Sequence, residues 1–430
     1  MCRSLWSFFP SVVIQLVALL TMNGTFAGAG ESRDVAVGQP ATVPPGQSLL
    51  ESGSSPVTIV CLGDSVTGVY YHTGGRRAYP EMFELAIRKA LPQARVKVIN
   101  AGISGHTTAE GLARLDRDVL QRKPDLVTIS FGLNDMTRLP EEQFVDNLTT
   151  LVARCREAEA QVVLCTPNAV ISTPGRPVEK LTRYCDRVRE LGRRANVPVC
   201  DQFAAGESLH AKDAWAWRLT LSDEIHPNMD GHRRMAQELC RTITGKEVSL
   251  ANVGPPQDFL AKTRELLKQG KPIKVLAMPP FDALAGSALK QLDPQAIVEV
   301  TPWPTDGKSL AELERAANQL VRPLKPDLVI LAVPANAAAT TDEEFVRSYS
   351  WTLNWSLSFG HQEWDCVVVH PSVVTPDISV PRGELVRQLV RAQDLTLIDR
   401  PNVDRSSSEV LFTNALKQCL SKEPLPCDGG

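Results

Sequence analysis

Separate pieces of this chain carry side chains that together suffice for attack on a carbonyl carbon. Gly63-Asp64-Ser65 ends an apolar run, VTIVCLGDS. A serine just past the C-terminal end of a buried parallel strand sits on the edge where α/β sheets bind ligands, and a glycine there permits a tight turn. Its hydroxyl is a poor nucleophile until a base takes the proton. The stretch Ser222-Asp223-Glu224-Ile225-His226-Pro227 supplies a base. One short turn could bring the Asp223 carboxylate to one imidazole nitrogen of His226 while the other nitrogen faces Ser65. A tetrahedral intermediate needs hydrogen-bond donors for its oxyanion. Gly105 offers a backbone N–H without a side chain in the way, Asn134 a side-chain amide, and Ser65 its own N–H. Each piece also has a plain structural use: Asp-Ser caps helices, glycine and asparagine make turns, and a lone DxxH loop is commonly just solvated. The coincidence is what informs, since all five residues fall on loops along one sheet edge. Three further histidines make weaker cases: His72 lies in YYHTGGRRAY and could touch substrate, His106 follows Gly105, and His232 lies in the last helix of this region.

The elements that must hold these loops are legible as alternation. VTIVCL (57–62), VKVIN (96–100), DLVTISF (125–131) and QVVLCT (161–166) are short and apolar throughout, as strands buried on both faces are. Between them run segments with apolar residues every three or four positions: YPEMFELAIRKAL, TAEGLARLDRDVLQR, EEQFVDNLTTLVARCREAEA and EKLTRYCDRVRELGRRA, with MDGHRRMAQELCRTI closing the unit near residue 245. Such alternation predicts a parallel sheet covered by helices on both faces.

The chain then says much the same again. KPDLVTISFGLNDMTRLPEEQFVD (123–146) is echoed by KPDLVILAVPANAAATTDEEFVR (325–347), VTIVCLGDS (57–65) by IKVLAMPPF (273–281), and QVVLCTPNAV (161–170) by DCVVVHPSVV (365–374). Two tandem copies of one folding unit are expected. Gly307 and Asn336 match Gly105 and Asn134, but Phe281 stands where Ser65 does, Pro279-Pro280 replaces Gly63-Asp64, and no histidine follows His370. KPDLV and the EEF segment are therefore fold residues and GDS and DxxH reaction residues, so the second copy is expected to lack catalysis, and residues 31–250 to suffice for it.

The blocks GDS (63–65), NAGISG (100–105), GLND (132–135) and DEIHP (223–227), in that order, resemble those of the SGNH (GDSL) hydrolase family over about residues 57–245. The resemblance implies Ser65 as nucleophile, His226 as general base, Asp223 as its orienting partner, and Ser65 N–H, Gly105 N–H and the Asn134 side chain as oxyanion donors. It implies two tandem flavodoxin-like, three-layer α/β/α domains and an ester hydrolase with no metal or cofactor. One departure stands out: Gly68 lies three residues past the serine where the family often has a glycine four past, which leaves the loop Val66–Tyr79 and its pocket open.

The rest of the sequence bounds the setting. With 43% hydrophobic and 22% charged residues and a formal net charge of −3, the 430-residue chain has no basic excess for nucleic acid. Arg3, an apolar run from Leu5 to Met22 and small residues around Ala27 predict a signal peptide over 1–29, hence a secreted or periplasmic protein with no integral membrane segment after cleavage. Expected next are a linker (30–56), a catalytic domain (57–245), a second linker (246–272), a degenerate domain (273–420) and a tail (421–430). The ten cysteines show no CxxC or metal-ligand spacing, and a Cys419–Cys427 bridge stays open. Asn147 and Asn354 open glycosylation sequons. The substrate is read as a small-molecule or carbohydrate ester, with acetylated carbohydrate favoured by the polar YYHTGGRRAY loop. The alternatives are a lipase, lysophospholipase or thioesterase, and, from another class, a non-catalytic carbohydrate-binding or scaffolding protein.

Overall fold

The computed structural model describes residues 47–421 except 52, 54, 256–258, 361, 376–381 and 402–403. The expected leader and Cys427 fall outside these residues. Two parallel five-stranded sheets are built from β1 (Val57–Gly63), β2 (Val96–Gly102), β3 (Leu126–Ser130), β4 (Gln161–Cys165) and β5 (Val199–Cys200), then β6 (Ile273–Ala277), β7 (Val298–Pro302), β8 (Leu328–Leu331), β9 (Asp365–Val369) and β10 (Thr396–Ile398). Strand order is β2-β1-β3-β4-β5 in one and β10-β9-β8-β6-β7 in the other, the same order written from opposite ends. This is the flavodoxin-like order, which puts the strand ends and a switch point on one edge.

Helices cover both faces. In the first half α1 (Tyr79–Ala90) packs with α4 (Met229–Thr244), and α2 (Glu141–Glu157) with α3 (Val178–Ala195). In the second, α5 (Phe281–Leu292) packs with α9 (Ser408–Ser421), and α6 (Leu310–Leu324) with α7 (Asp342–Ser356), while α8 (Gly383–Ala392) precedes β10. The helix α4 shows how sequence sets an element. Asn228 caps it by accepting N–H groups of Asp230 and Gly231, Met229, Ala236, Leu239, Cys240 and Ile243 face the core, and Gly245 at φ 70° ends it.

The repeat is physical. β1 meets β3 at Ile59–Leu126 and β6 meets β8 at Val275–Leu328, the register the sequence alignment requires. The shared KPDLV has a common job. Lys123 and Lys325 both turn left-handed, at φ 50° and 45°, to end the preceding helical segment. Asp125 then accepts the Thr58 N–H at 2.7 Å and donates its own N–H to Thr58 O, and Asp327 does the same with Lys274. Each aspartate thus locks the start of the central strand pair.

Three expectations need correction. The helix expected over TAEGLARLDRDVLQR is broken into Thr108–Ala113, Leu115–Asp118 and a 3₁₀ turn at Leu120–Arg122. The break at Arg114 lets its buried guanidinium donate to Ala101 O and Gly63 O at the strand ends. The stretch 30–56 is not all tether, because Gln47–Glu51 is helical with Leu50 buried in the first core. The stretch 246–272 is likewise occupied: Leu250 joins the first core, and the helix Ala261–Lys268 puts Leu266 into the second. Among the described residues no helix is long and apolar enough to cross a membrane.

Candidate active site

Ser65 stands two residues beyond β1, Gly105 on the loop after β2, Asn134 on the loop after β3, and Asp223 and His226 on the loop before α4. The turn after β1 is closed by Gly68 N–H on Asp64 O, and a Cβ on Gly68 would meet the Tyr70 ring at 2.4 Å and Gly102 O of β2 at 3.0 Å. A glycine three residues past the serine is therefore what this loop needs. Asp64 turns inward and accepts the Val66 N–H at 3.0 Å; burial pushes its carboxyl up to about 6 despite that bond and the neighbouring His226.

The structure joins Ser65, His226 and Asp223. Ser65 Oγ lies 2.9 Å from His226 Nε2, and His226 Nδ1 lies 2.7 Å from Asp223 Oδ2. With the Nδ1–H donating to the Asp223 carboxylate, Nε2 is left to accept the serine hydroxyl. Asp223 Oδ1 accepts the N–H groups of His226 and Ile225 at 2.7 and 2.8 Å, and Oδ2 also accepts Tyr71 OH at 3.2 Å. Burial opposes ionisation of Asp223, yet the His226 charge and these donors outweigh it and hold the carboxyl well below its usual range. Burial likewise works against a charged His226, and the Asp223 charge and hydrogen bond overcome it, raising the imidazole above its ordinary value.

The three other groups are poised as donors. Neither Ser65 N–H nor Gly105 N–H meets a partner among the described residues. Gly105 is left-handed, at φ 77°, with open space where a Cβ would go, and its carbonyl is tied to Arg138. Asn134 spends one amide N–H on His106 O at 3.0 Å, and Arg176 reaches its Oδ1 at 3.5 Å. A primary amide has a second N–H to give. The constellation can accept a serine proton and stabilise an oxyanion.

His72 does not touch substrate. It is 0% exposed and stacks on His226 at 4.4 Å and 15°, with His232 next in the column at 5.9 Å. Burial and the adjacent His226 push His72 well below its ordinary pKa and His232 down to about 3, so both present uncharged faces. Other residues of the YYHTGGRRAY loop are also spent on the fold: Tyr79 is buried, and Arg76 and Arg77 reach Asp394 and its neighbourhood in the second half, while Tyr71 of the same loop serves the site. Sequence reading missed Arg176, for which no local pattern gives a signal, and did not single out Tyr71 within the YYHTGGRRAY loop. Asn354 is no glycan site either, being 0% exposed and hydrogen-bonded to Ser222.

In the second half Phe281 occupies the position of Ser65 as the first residue of α5, 0% exposed, its ring 4.8 Å from that of Phe412. Among the described residues no group of three His, Cys, Asp or Glu side chains is placed to hold a metal ion.

Comparison with known proteins gives a consistent result. Residues 61–234 match the model of the GDSL-like Lipase/Acylhydrolase family. An arylesterase of Vibrio mimicus is 35% identical over 186 residues, spanning 43% of this chain and 87% of that protein. An acetylxylan esterase of Geobacillus stearothermophilus is 28% identical over 172 residues, 36% of this chain and 76% of that one. The thioesterase 1/protease 1/lysophospholipase L1 of Escherichia coli (strain K12) is 27% identical over 187 residues, 43% and 83% of the two chains.

Proposed function

The chain belongs to the GDSL-like lipase/acylhydrolase family and is an ester-bond hydrolase, and from that premise we propose that it works through an acyl-enzyme on Ser65. His226 Nε2 takes the hydroxyl proton as Oγ attacks the ester carbonyl carbon. The oxyanion accepts from Ser65 N–H, Gly105 N–H and the free N–H of Asn134. The imidazolium gives its proton to the departing alcohol, the carbon–oxygen bond breaks, and water activated by the same nitrogen releases the acid. Asp223 stays ionised, fixes the Nδ1–H tautomer and stabilises the imidazolium. The observation that carries this reading is the relay from Ser65 to His226 to Asp223, at 2.9 and 2.7 Å.

For substrate we infer a short acyl group on a polar alcohol, such as acetylated carbohydrate, in an exported setting if the leader is removed as its sequence suggests. The groups around Ser65 support this, being Asn134, Arg138, Arg176 and Tyr71 rather than an apolar funnel. Of the exposed large apolar side chains, Phe359 stacks on the site residue Tyr71. Two larger cavities, about 340 and about 660 Å³, include neither Ser65 nor His226. The acetylxylan esterase relative acts on a substrate of this kind by its name. The test is a panel of aryl esters of graded acyl length beside acetylated sugars. Turnover that falls steeply beyond the shortest acyl groups supports the reading, and a preference for long acyl chains or acyl thioesters would replace it.

A further inference from the structure

The loop that carries both Asp223 and His226 is short, so its shape depends on what grips its backbone. Leu221 and Pro227 bridge across its base, and Ser222 N–H donates to His226 O at 2.8 Å. Ile171 N–H holds Glu224 O at 2.9 Å, and Asn168 Nδ2 holds Ile225 O at 2.9 Å. These supports come from the first half. The residue that leads into Asp223 is held from elsewhere. Ser222 Oγ donates to Asn354 Oδ1 at 2.9 Å, and Asn354 Nδ2 donates back to Ser222 O at 2.8 Å. Ser222 is 1% exposed and Asn354 0%, so water does not compete for either bond. An amide that both accepts from and donates to one residue fixes the position and the tilt of the peptide between Ser222 and Asp223.

Asn354 lies on α7, in the half without a nucleophile. Arg347, Trp351 and Asn354 are spaced by four and three, which places them on one helix face. Arg347 and Trp351 Nε1 both approach Glu224 at 3.5 Å. A second approach comes through Tyr71, whose hydroxyl donates to Asp223 while Arg322 and Phe359 of the second half cover its ring at 5.3 and 6.3 Å. Other contacts join the halves elsewhere, such as Arg218 with Glu343 and Arg233 with Asp394, but these converge on the residues flanking the base and its carboxylate.

We propose that Asn354 is a positioning residue for the reaction of the first half. By holding the Ser222–Asp223 peptide it sets where the carboxylate meets His226, so the second half takes part in catalysis without touching the reacting atoms. The inference rests on the reading of Asp223 and His226 as the base pair. It also removes the expectation that residues 31–250 suffice, because one grip on the base loop lies outside them.

The experiment uses the full chain and a small aryl acetate. Asn354→Leu keeps the number and branching of the side-chain heavy atoms and removes both hydrogen bonds to Ser222, together with the longer one from Gln393 Nε2 at 3.4 Å. Its kcat should fall about 10- to 100-fold, the scale of a misplacement on the order of 1 Å, with KM within about twofold. The ascending limb of kcat/KM should move to lower pH, because a looser Asp223 holds the imidazolium less well. The charged and titratable groups facing His226 — Asp64, Arg176, Tyr71, His72 and His232 beside Asp223 — are unchanged in this variant. Ser222→Ala should move both quantities the same way by less, and Ser222→Thr, which keeps the hydroxyl, should restore them. Leu416→Ala, a buried core change in α9, serves as the control and should leave kcat and the limb in place wherever the protein is folded. Wild-type kcat and pH limb in folded Asn354→Leu would overturn the proposal, as would Leu416→Ala reproducing both shifts. If Asn354→Leu fails to fold, equal activity of Ser222→Ala and Ser222→Thr overturns it instead. Hydrolysis retained by Ser65→Ala would remove the underlying triad and the proposal with it.

Discussion

The two halves share strand order, ladder register, the left-handed lysine and the aspartate that locks the central strands. They part at the residues that follow the first strand of each sheet. In the first half the chain turns so that Ser65 meets His226; in the second, Phe281 enters the core against Phe412. The scaffold is therefore indifferent to chemistry, and a few loop residues at the switch-point edge decide whether a copy reacts. The second half has kept something else, an α7 face that grips the reacting copy's base loop.

The largest effect should come from the position where the copies differ most. Ser65→Ala should lower turnover of an aryl acetate about a millionfold, as loss of a nucleophile does in another serine hydrolase, with a nearly unchanged thermal midpoint. Phe281→Ser should add no activity and cost about 3–5 kcal/mol in denaturant unfolding, the scale of emptying a buried aromatic site. If Phe281→Ser conferred hydrolysis independent of Ser65, the second half would not be inert.

Asn134 and Asn336 sharpen the contrast at the next scale. Asn134→Ala should reduce kcat about 10²–10³-fold by removing one oxyanion donor. Asn336 is exposed, and its replacement by Ala should change activity not at all and stability by about 0.5 kcal/mol or less. A pure KM effect at Asn134 would make it a ground-state binding residue.

The histidine column predicts how pH acts on the first half. His226 must be neutral to act as base, and its pKa is raised, so kcat/KM should rise through a limb above about 6.5, the ordinary histidine value. His72 and His232 are depressed. The stability they contribute is present above about pH 6.5 and is lost as pH falls towards the folded value, about 3 for His232, at up to about 1.4 kcal/mol per pH unit for each. His226 acts in the opposite sense, stabilising below about 6.5 and losing that contribution as pH rises through its folded pKa. Denaturant unfolding at pH 7 and pH 5 should show a loss on acidification that His72→Phe reduces; equal losses in both would mean that His72 is not held neutral.

The smallest effect compares two glycines with the same backbone. Gly105 and Gly307 have φ of 77° and 69° with open space around each Cβ position. Alanine at either should cost about 1 kcal/mol of stability, and only Gly105→Ala should lower turnover. Matching activity losses would separate Gly105 from the oxyanion role.

Much of this was legible in sequence, for physical reasons. Strands buried on both faces must be apolar throughout, so VTIVCL and DLVTISF declared themselves, and the loops between strand and helix then had to share an edge. The two-residue β5 and three-residue β10 were not legible, because they are too short to show a pattern. Nor was the helix break at Arg114, which is imposed by carbonyls of strands distant in sequence. Contacts between the halves were hidden most completely. The YYHTGGRRAY loop read as favouring a polar substrate, yet its Arg76 and Arg77 are taken up by Asp394 and its neighbours, and Asn354 opened a sequon that Ser222 covers.

The division of labour is tested most directly by treating the full chain with a fluorophosphonate and locating the adduct by peptide mass spectrometry. The account predicts one adduct per chain, on Ser65, abolished by Ser65→Ala and strongly slowed by His226→Gln. An adduct in the second half, or none on folded and active protein, would contradict it.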